Sequence, residues 1–569
     1  MKQQLSQGYN MYGMAGWAGF SLLMPLGLLS CSSAPENTHP NIILIMADDM
    51  GFADLGCYGS EIHTPNLDRL AENGIRFSRF YNGARCCPTR ASLLTGLYAH
   101  QAGIGSMTDD WGHESYRGDL NNRCVTLAEA LGSSGYATYM AGKWHVTGHL
   151  GYWSGNEEKM SKHNWPLQRG FDRFFGTIIG AGSYYDPVTL VRDNEPVDPD
   201  KDEFYYTDAI NDHMVEFINE HIQSGNDAPF FAYVAHVAPH WPLHALPEDI
   251  ERYDGVYDKG WDEIRRKRFE RMKQMGLVNE DIELTPRDPR VPRWEDEENK
   301  EWRIRAMEVY AAQIERMDRG IGRIIGALEK NGILDNTLIV FLADNGGCAE
   351  VVKEGWTGMF ISQETRDGRP VHVGDDPECM PGPEETYQSY GIGWANVSNT
   401  PFRLYKHFSH EGGISSPMIM HWPDGIESKG EWRRHPSHII DLMPTFLDVA
   451  GAEYPERFNG QEILPLEGQS LIPVIKQDRV ERDGPLFWEH EGNRAVLSGK
   501  WKLVQRHNRD WELFDMLTDR TETTDLSDEM PEKVAELKAM YEEWAERAGV
   551  LPWPAYKYIR DNKLDEDAR

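Results

Sequence analysis

Asn41-Ile42-Ile43-Leu44-Ile45-Met46-Ala47, followed directly by Asp48-Asp49, reads as a strand with its polar residues beyond its carboxyl end. The run is continuously apolar rather than alternating, which fits a strand covered on both faces of a parallel sheet. Residues 136–141 (YATYMA), Phe230–Ala235 and Thr337–Ala343 have the same character, and longer helical patterns separate them. That alternation predicts βαβ units: an α/β fold with a mainly parallel sheet flanked by helices. The clearest helix covers 304–331, where Met307, Tyr310, Ile314, Met317, Ile321, Ile324 and Leu328 form one apolar stripe before the Asn331-Gly332 stop. The stripe is core packing.

Each strand ends in ionisable residues. After Asp48-Asp49 come Gly142-Lys143-Trp144-His145, then Ala238-Pro239-His240, then Asp344-Asn345-Gly346-Gly347. Ligands of open α/β sheets bind beyond the carboxyl ends of the strands, so one site built from all four ends is the economical reading. Asp48, Asp49, Asp344 and Asn345 supply hard oxygen donors. Carboxylates gathered at one point repel unless a cation lies among them. A donor set without imidazole or thiolate favours Ca²⁺, or Mg²⁺, over Zn²⁺.

The most specific stretch is Cys86-Cys87-Pro88-Thr89-Arg90, followed by Ala91-Ser92-Leu93-Leu94-Thr95-Gly96. Pro88 suits the first turn of a helix. Position 86 then sits at a helix N-terminus, where partial positive charge and free N–H groups favour an anion. This C-x-P-x-R run, with Asp-Asp, Gly-Lys-Trp-His, Ala-Pro-His and Asp-Asn-Gly-Gly in that order, resembles the type I sulfatases of the alkaline-phosphatase-like superfamily. The likeness extends from about residue 40 to 549. Residues 238–243 (APHWPL), 310–318 (YAAQIERMD) and 400–413 (TPFRLYKHFSHEGG), with the charged insertion, look closest to the bacterial alkyl/arylsulfatase subgroup. Residues 512–525 resemble the family's C-terminal signature.

The resemblance implies a sulfate-ester hydrolase whose Cys86 is oxidised to formylglycine by a maturation enzyme. Pro88 and Arg90 set the register, so Cys86 and not Cys87 is the modified residue. Asp48, Asp49, Asp344 and Asn345 would bind one calcium together with modified Cys86. Arg90 would hold the formylglycine hydrate, and Lys143 and Lys406 would bind sulfate oxygens. One hydroxyl of the hydrate, activated by calcium and Asp344, would attack sulfur. His240 would protonate the departing alcohol, and His145 would take the proton of the second hydroxyl as sulfate leaves. A sulfated sugar is the preferred substrate.

Other residues invite blander readings. His236 lies inside a strand run and reads as a core histidine. His407 and His410 flank Lys406 and could touch substrate. Trp241, His244, Tyr184, Tyr185 and Arg494 suit a specificity pocket or packing alike, and Asp109-Asp110 a solvated turn.

At 569 residues the chain accommodates one large domain and a smaller one. The expected division is an export signal over 1–30, a catalytic domain over 40–483 and a small α+β domain over 484–569. Residues 495–503 and Trp511–Asp515 read as antiparallel strands, and 531–549 as a terminal helix. Residues 258–303 read as a solvated, helical, charged insertion that could serve as a lid.

A net charge of −33 argues against nucleic acid as partner. Lys2, the apolar 14–29 stretch and Leu28-Leu29-Ser30-Cys31 resemble a bacterial lipoprotein signal, with a plain cleaved signal as the alternative. The expectation is an exported protein, periplasmic or anchored to the outer membrane through lipidated Cys31. The seven cysteines form no zinc-type spacing.

Two rivals remain at this point. A phosphatase, phosphodiesterase or phosphonate hydrolase shares the fold, but two-zinc members need further His and Asp ligands. A silent surface lipoprotein that binds sulfated glycans would have no reason to keep Cys86, Arg90, Lys143, His145, His240 and Lys406 together.

Overall fold

The computed structural model describes residues 39–155, 157–199, 204–478 and 481–562. The export segment and Cys31 lie outside them. Strands β1 (Asn41–Ala47), β2 (Ile75–Tyr81), β3 (Ala137–Lys143), β4 (Arg173–Thr177), β5 (Leu190–Arg192), β6 (Glu195–Pro196), β7 (Phe230–Ala235) and β8 (Thr337–Ala343) belong to one large sheet. After the short ladder of β9 (His372–Val373) and β10 (Thr386–Tyr387), the sheet gains β11 (Ser415–His421), β12 (Glu431–Arg433) and β13 (Ser437–His438). The order is β12-β2-β11-β8-β1-β7-β3-β4-β5-β6, with β13 also on β2.

The centre of the sheet, β8-β1-β7-β3-β4, is parallel, and β11 runs antiparallel between β8 and β2. Ile43, Ile45 and Ala47 bury into one core and Ile42, Leu44 and Met46 into another, so β1 is covered on both faces. The 304–331 stripe lies on a helix that begins four residues earlier, Lys300–Lys330, and packs on the first of those cores. The third strand runs Ala137–Lys143 rather than 136–141, so Gly142 and Lys143 are still paired with β4.

The charged insertion contains one helix, Gly260–Gln274, and no regular helix from there to Lys300 apart from a single turn at Trp294–Asp296. Arg265 and Arg268 of that helix are buried, and Arg268 pairs with Asp54 at 2.6 Å. That face is therefore packed rather than solvated, which corrects the expectation of a solvated insertion.

After the hairpin β14 (Arg457–Phe458) and β15 (Gln461–Glu462), strands β16 (Leu486–His490), β17 (Asn493–Ser498), β18 (Trp501–Gln505) and β19 (Trp511–Asp515) form a second, antiparallel sheet. Residues 495–503 are two strands, because Gly499 at φ 57° turns the chain between them. The helix Pro531–Ala548 covers this sheet, and the core they share includes Tyr81, Ala84 and Tyr98. Trp488 Nε1 donates to the Asn82 carbonyl at 2.8 Å, which ties the second sheet to the chain just before Cys86. Among the described residues, no helix is long and apolar enough to cross a membrane.

Candidate active site

The four strand ends meet. Asp49 N donates to Asp344 Oδ1 at 3.0 Å, and Asn345 Nδ2 donates to Asp49 Oδ1 at 2.7 Å. Arg90, on the Cys86–Thr95 helix, reaches Asp344 Oδ2 at 3.1 Å and Asp48 Oδ2 at 3.5 Å. Its other nitrogen donates to the Lys143 carbonyl at 3.0 Å. Lys143 pairs with Asp48. Lys406 Nζ lies 2.8 Å from Asp49 Oδ2, and His240 Nε2 3.3 Å from the same oxygen. All of these side chains are buried.

Asp49 (φ 62°) and His145 (φ 55°) both adopt left-handed backbone conformations. Each costs on the order of 1 kcal/mol for a residue with a Cβ, and such strain persists where the surroundings hold it. For His145 the hold is a backbone bond to Ile178 at 3.1 Å and the bare Gly180, where a Cβ would overlap the imidazole.

The site is electrostatically dense. Burial alone would raise the Asp48 pKa, but Lys143, His240 and Arg90 outweigh it and bring it to about 2. Burial and the Asp48 charge push Asp344 up. Cys86 is held well below the ordinary thiol range, first by Cys87 and then by Lys143 and His145 against the burial cost. Burial pushes Cys87 up. His145, buried, is lowered to about 4.

Two buried oxygens, Asp48 Oδ1 and Asn345 Oδ1, have no hydrogen-bond partner among the described residues. Buried polar atoms are normally satisfied, and hard oxygens without a proton donor suit a hard cation. The residues therefore fit a calcium ion, the group that the sulfatase resemblance implies.

All ten residues singled out in the sequence as catalytic or metal-binding converge here. Others join them. Cys87 Sγ is 3.2 Å from His145 Nε2, so both cysteines of the pair face the site. Glu350 sits at the rim, 3.4 Å from Lys406 Nζ, 3.0 Å from Arg85 and 2.9 Å from His407 Nε2. It also accepts from Trp241 Nε1 at 3.1 Å. From the second sheet, Glu491 reaches His407 Nδ1 at 3.0 Å. Arg85 and Glu350 adjoin the Cys-Cys and Asp-Asn-Gly-Gly motifs and could have been suspected on that ground. Glu491 carries no sequence signal, because only the docking of the second sheet brings it near.

His236 is a core residue, buried with neither nitrogen hydrogen-bonded among the described residues. Tyr184 donates to the Val237 and His240 carbonyls at 3.0 and 2.9 Å and so packs the His240 loop rather than a pocket. His244 is buried against the Thr386 carbonyl at 2.6 Å. His410 is likewise buried, 3.0 Å from Glu512. Asp109 and Asp110 are exposed in an irregular stretch.

A family model described as Sulfatase matches residues 40–452, nearly three quarters of the chain. The chain belongs to the sulfatase family. A second model, the C-terminal region of N-sulphoglucosamine sulphohydrolase, matches residues 402–547. An arylsulfatase of Klebsiella aerogenes is 34% identical over 464 residues, covering 78% of this chain and 93% of that protein. An uncharacterised sulfatase of Schizosaccharomyces pombe is 32% identical over 552 residues, covering 91% and 96%. The solved structure of Ps i-CgsB in complex with k-i-k-neocarrahexaose has 27% identity and a TM-score of 0.62, covering 89% of this sulfatase and 93% of that chain. The sulfatase is a sulfuric ester hydrolase, and phosphate-ester chemistry on the same fold is not favoured.

Proposed function

We propose that this sulfatase removes sulfate from an otherwise neutral carbohydrate that carries a single sulfate, outside the cytoplasm. The observation that carries the substrate class is the wall beside His240. The Trp241 ring lies 4.4 Å from the His240 ring, and Trp356 and Phe360 lie 6.4 and 6.2 Å from Trp241. Aromatic faces of this kind suit the apolar face of a pyranose, with a few placed polar groups to orient it. Arg85, a cation of the rim, is engaged by Glu350 at 3.0 Å and is not free for a second sulfate. The k-i-k-neocarrahexaose in complex with Ps i-CgsB supports a carbohydrate substrate. The apolar 14–29 stretch, followed by Ser30-Cys31, supports export and lipid anchoring.

Asp48, Asp49, Asp344 and Asn345 would hold calcium, which supplies Lewis-acid polarisation at the sulfate. Formylglycine, made from Cys86 by a maturation enzyme, supplies a hydrated aldehyde in place of the thiol. Lys143 and Lys406 bind sulfate oxygens and offset the charge that develops there. Arg90, fixed by Asp344 and the Lys143 carbonyl, orients the side chain at position 86. His240 donates a proton to the departing sugar oxygen. His145, neutral at pH 7 because burial lowers its pKa to about 4, accepts a proton at the position-86 side.

The experiment is a turnover panel: nitrophenyl sulfate, neutral monosulfated sugars, and the same sugars carrying a second sulfate. Turnover of the neutral monosulfates above their disulfated counterparts is expected. Aryl-sulfate turnover with no activity on any sugar sulfate would refute the carbohydrate reading.

A further inference from the structure

A second constellation lies apart from the sulfate site. Asp119, His149 and His163 all sit in loops, the two histidines within the segment that follows His145. Their ligand atoms lie within 4.8 Å of one another. His163 Nε2 is 2.8 Å from Asp119 Oδ2, and His149 Nε2 is 3.7 Å from that same oxygen. The two imidazoles meet edge to face, with centroids 4.5 Å apart. His163 Nδ1 contacts Ser161 Oγ at 2.9 Å, the kind of outer contact that orients a metal-binding imidazole.

The protein alone leaves this cluster incomplete. Among the described residues His149 Nδ1 is buried without a hydrogen-bond partner, and its Nε2 stands beyond hydrogen-bond reach of Asp119. Asp119 Oδ1 is likewise buried and unpartnered among the described residues. Two imidazole Nε2 atoms aimed at one carboxylate oxygen, only one of them within hydrogen-bond reach, are what a shared cation would resolve.

We propose that Asp119, His149 and His163 form a Zn²⁺ site. Two imidazoles and one carboxylate are a recognised three-ligand zinc set, with water completing the tetrahedron. Ligand atoms about 2.0–2.1 Å from a tetrahedral ion lie about 3.3 Å apart, and the observed 2.8 and 3.7 Å separations bracket that spacing. The donor chemistry separates it from the oxygen-only set at Asp48, Asp49, Asp344 and Asn345. Asp110 and Lys159 also act on His149 and oppose each other in sign. The ion would clip both ends of the 149–163 segment to Asp119 and so brace the chain that leaves His145. Binding to the folded state alone would raise stability by mass action.

The test uses the full-length protein, stripped with chelator and reloaded with saturating Ca²⁺, so that Zn²⁺ does not report on the oxygen-ligated site. Calorimetric titration of wild type should find one Zn²⁺ per chain more than His149→Ala or Asp119→Asn binds. Zn²⁺ should also raise the unfolding midpoint of wild type by several degrees and leave both variants unmoved. Both variants are checked for native circular dichroism and metal-free midpoints. The wild-type titration stands alone if either fails to fold. Wild type with no Zn²⁺ site tighter than ~100 μM would overturn the proposal, since free ligand must exceed Kd for linkage to act. So would equal stoichiometry in wild type and a folded variant.

Discussion

His240 Nε2 and Asp49 Oδ2 stand 3.3 Å apart, while His240 Nδ1 contacts the Trp241 carbonyl at 2.6 Å. The imidazole is thereby fixed by the residue that opens the aromatic wall on one side and by the carboxylate cluster on the other. A sugar alkoxide is a poor leaving group and needs a proton as the bond breaks, whereas a nitrophenolate needs little help. Removing a general acid costs roughly 10²–10⁴ in rate when the proton matters. His240→Ala should therefore lower kcat/KM for a sugar sulfate by roughly that range and for nitrophenyl sulfate far less. Equal losses on both substrates would move His240 to sulfate binding.

Cys86 and Cys87 both face His145, so register becomes an experimental question. Peptide mass spectrometry after co-expression with a maturation enzyme should place formylglycine at position 86. Cys86→Ala should abolish turnover. Cys87→Ala should keep much of it, losing only the contact that Cys87 makes with His145 at 3.2 Å. The reverse pattern would reassign the nucleophile.

Elemental analysis of the purified enzyme should find about one calcium at the oxygen-ligated site. Chelation should stop turnover and lower the unfolding midpoint, and added Ca²⁺ should restore both. Asp344→Asn should raise the calcium concentration needed for half-maximal turnover by about tenfold or more, because it removes an anionic donor and the Arg90 pair at 3.1 Å while its remaining oxygen can still accept from Asp49 N. An unchanged calcium dependence would place the ion elsewhere.

Glu350 connects Lys406, Arg85, His407 and Trp241, so its loss frees Arg85 at the rim, while Lys406 keeps its pair with Asp49 at 2.8 Å. Glu350→Gln should shift preference toward disulfated sugars by several-fold in kcat/KM, measured as a ratio within one panel. Trp241→Ala should mainly raise KM for neutral sugar sulfates. If neither variant changes the ratio or KM, the aromatic wall does not contact the leaving group.

Burial lowers the His236 pKa to about 3 from an ordinary 6.5. An imidazole whose pKa is depressed on folding binds fewer protons in the folded chain, so its contribution is lost as pH falls below about 6.5 and levels off below about 3. The loss is on the order of 1 kcal/mol per pH unit in that window. Urea midpoints of wild type should fall between pH 6.5 and 5, and His236→Leu should flatten that fall. Parallel slopes would mean that His236 keeps an ordinary pKa.

Much of this protein was legible in its sequence for a local reason. A strand buried on both faces must be continuously apolar, so β1, β7 and β8 announced themselves. Their carboxyl ends named Asp48, Asp49, His240, Asp344 and Asn345 without any structure. The Cys-x-Pro-x-Arg run placed Cys86 and Arg90 on one helix turn in the same way. Strand β11, which carries a proline and runs antiparallel between β8 and β2, leaves no comparable signal, and the apolar pattern of 495–503 runs through the turn at Gly499 without marking it.

What only the tertiary structure decided is whatever depends on contact between distant segments. Arg85, Glu350, His407 and Glu491 form one rim because the second sheet docks beside the chain that leads to Cys86. Asp119 faces His149 and His163 only once the chain has folded back on itself. Packing also turned Arg265 and Arg268, in a stretch that reads as solvated, into buried residues. Periodicity and motif spacing record what each segment demands of its neighbours. They do not record which neighbour answers, because charge pairing and shape complementarity act through space and leave no fixed interval along the chain.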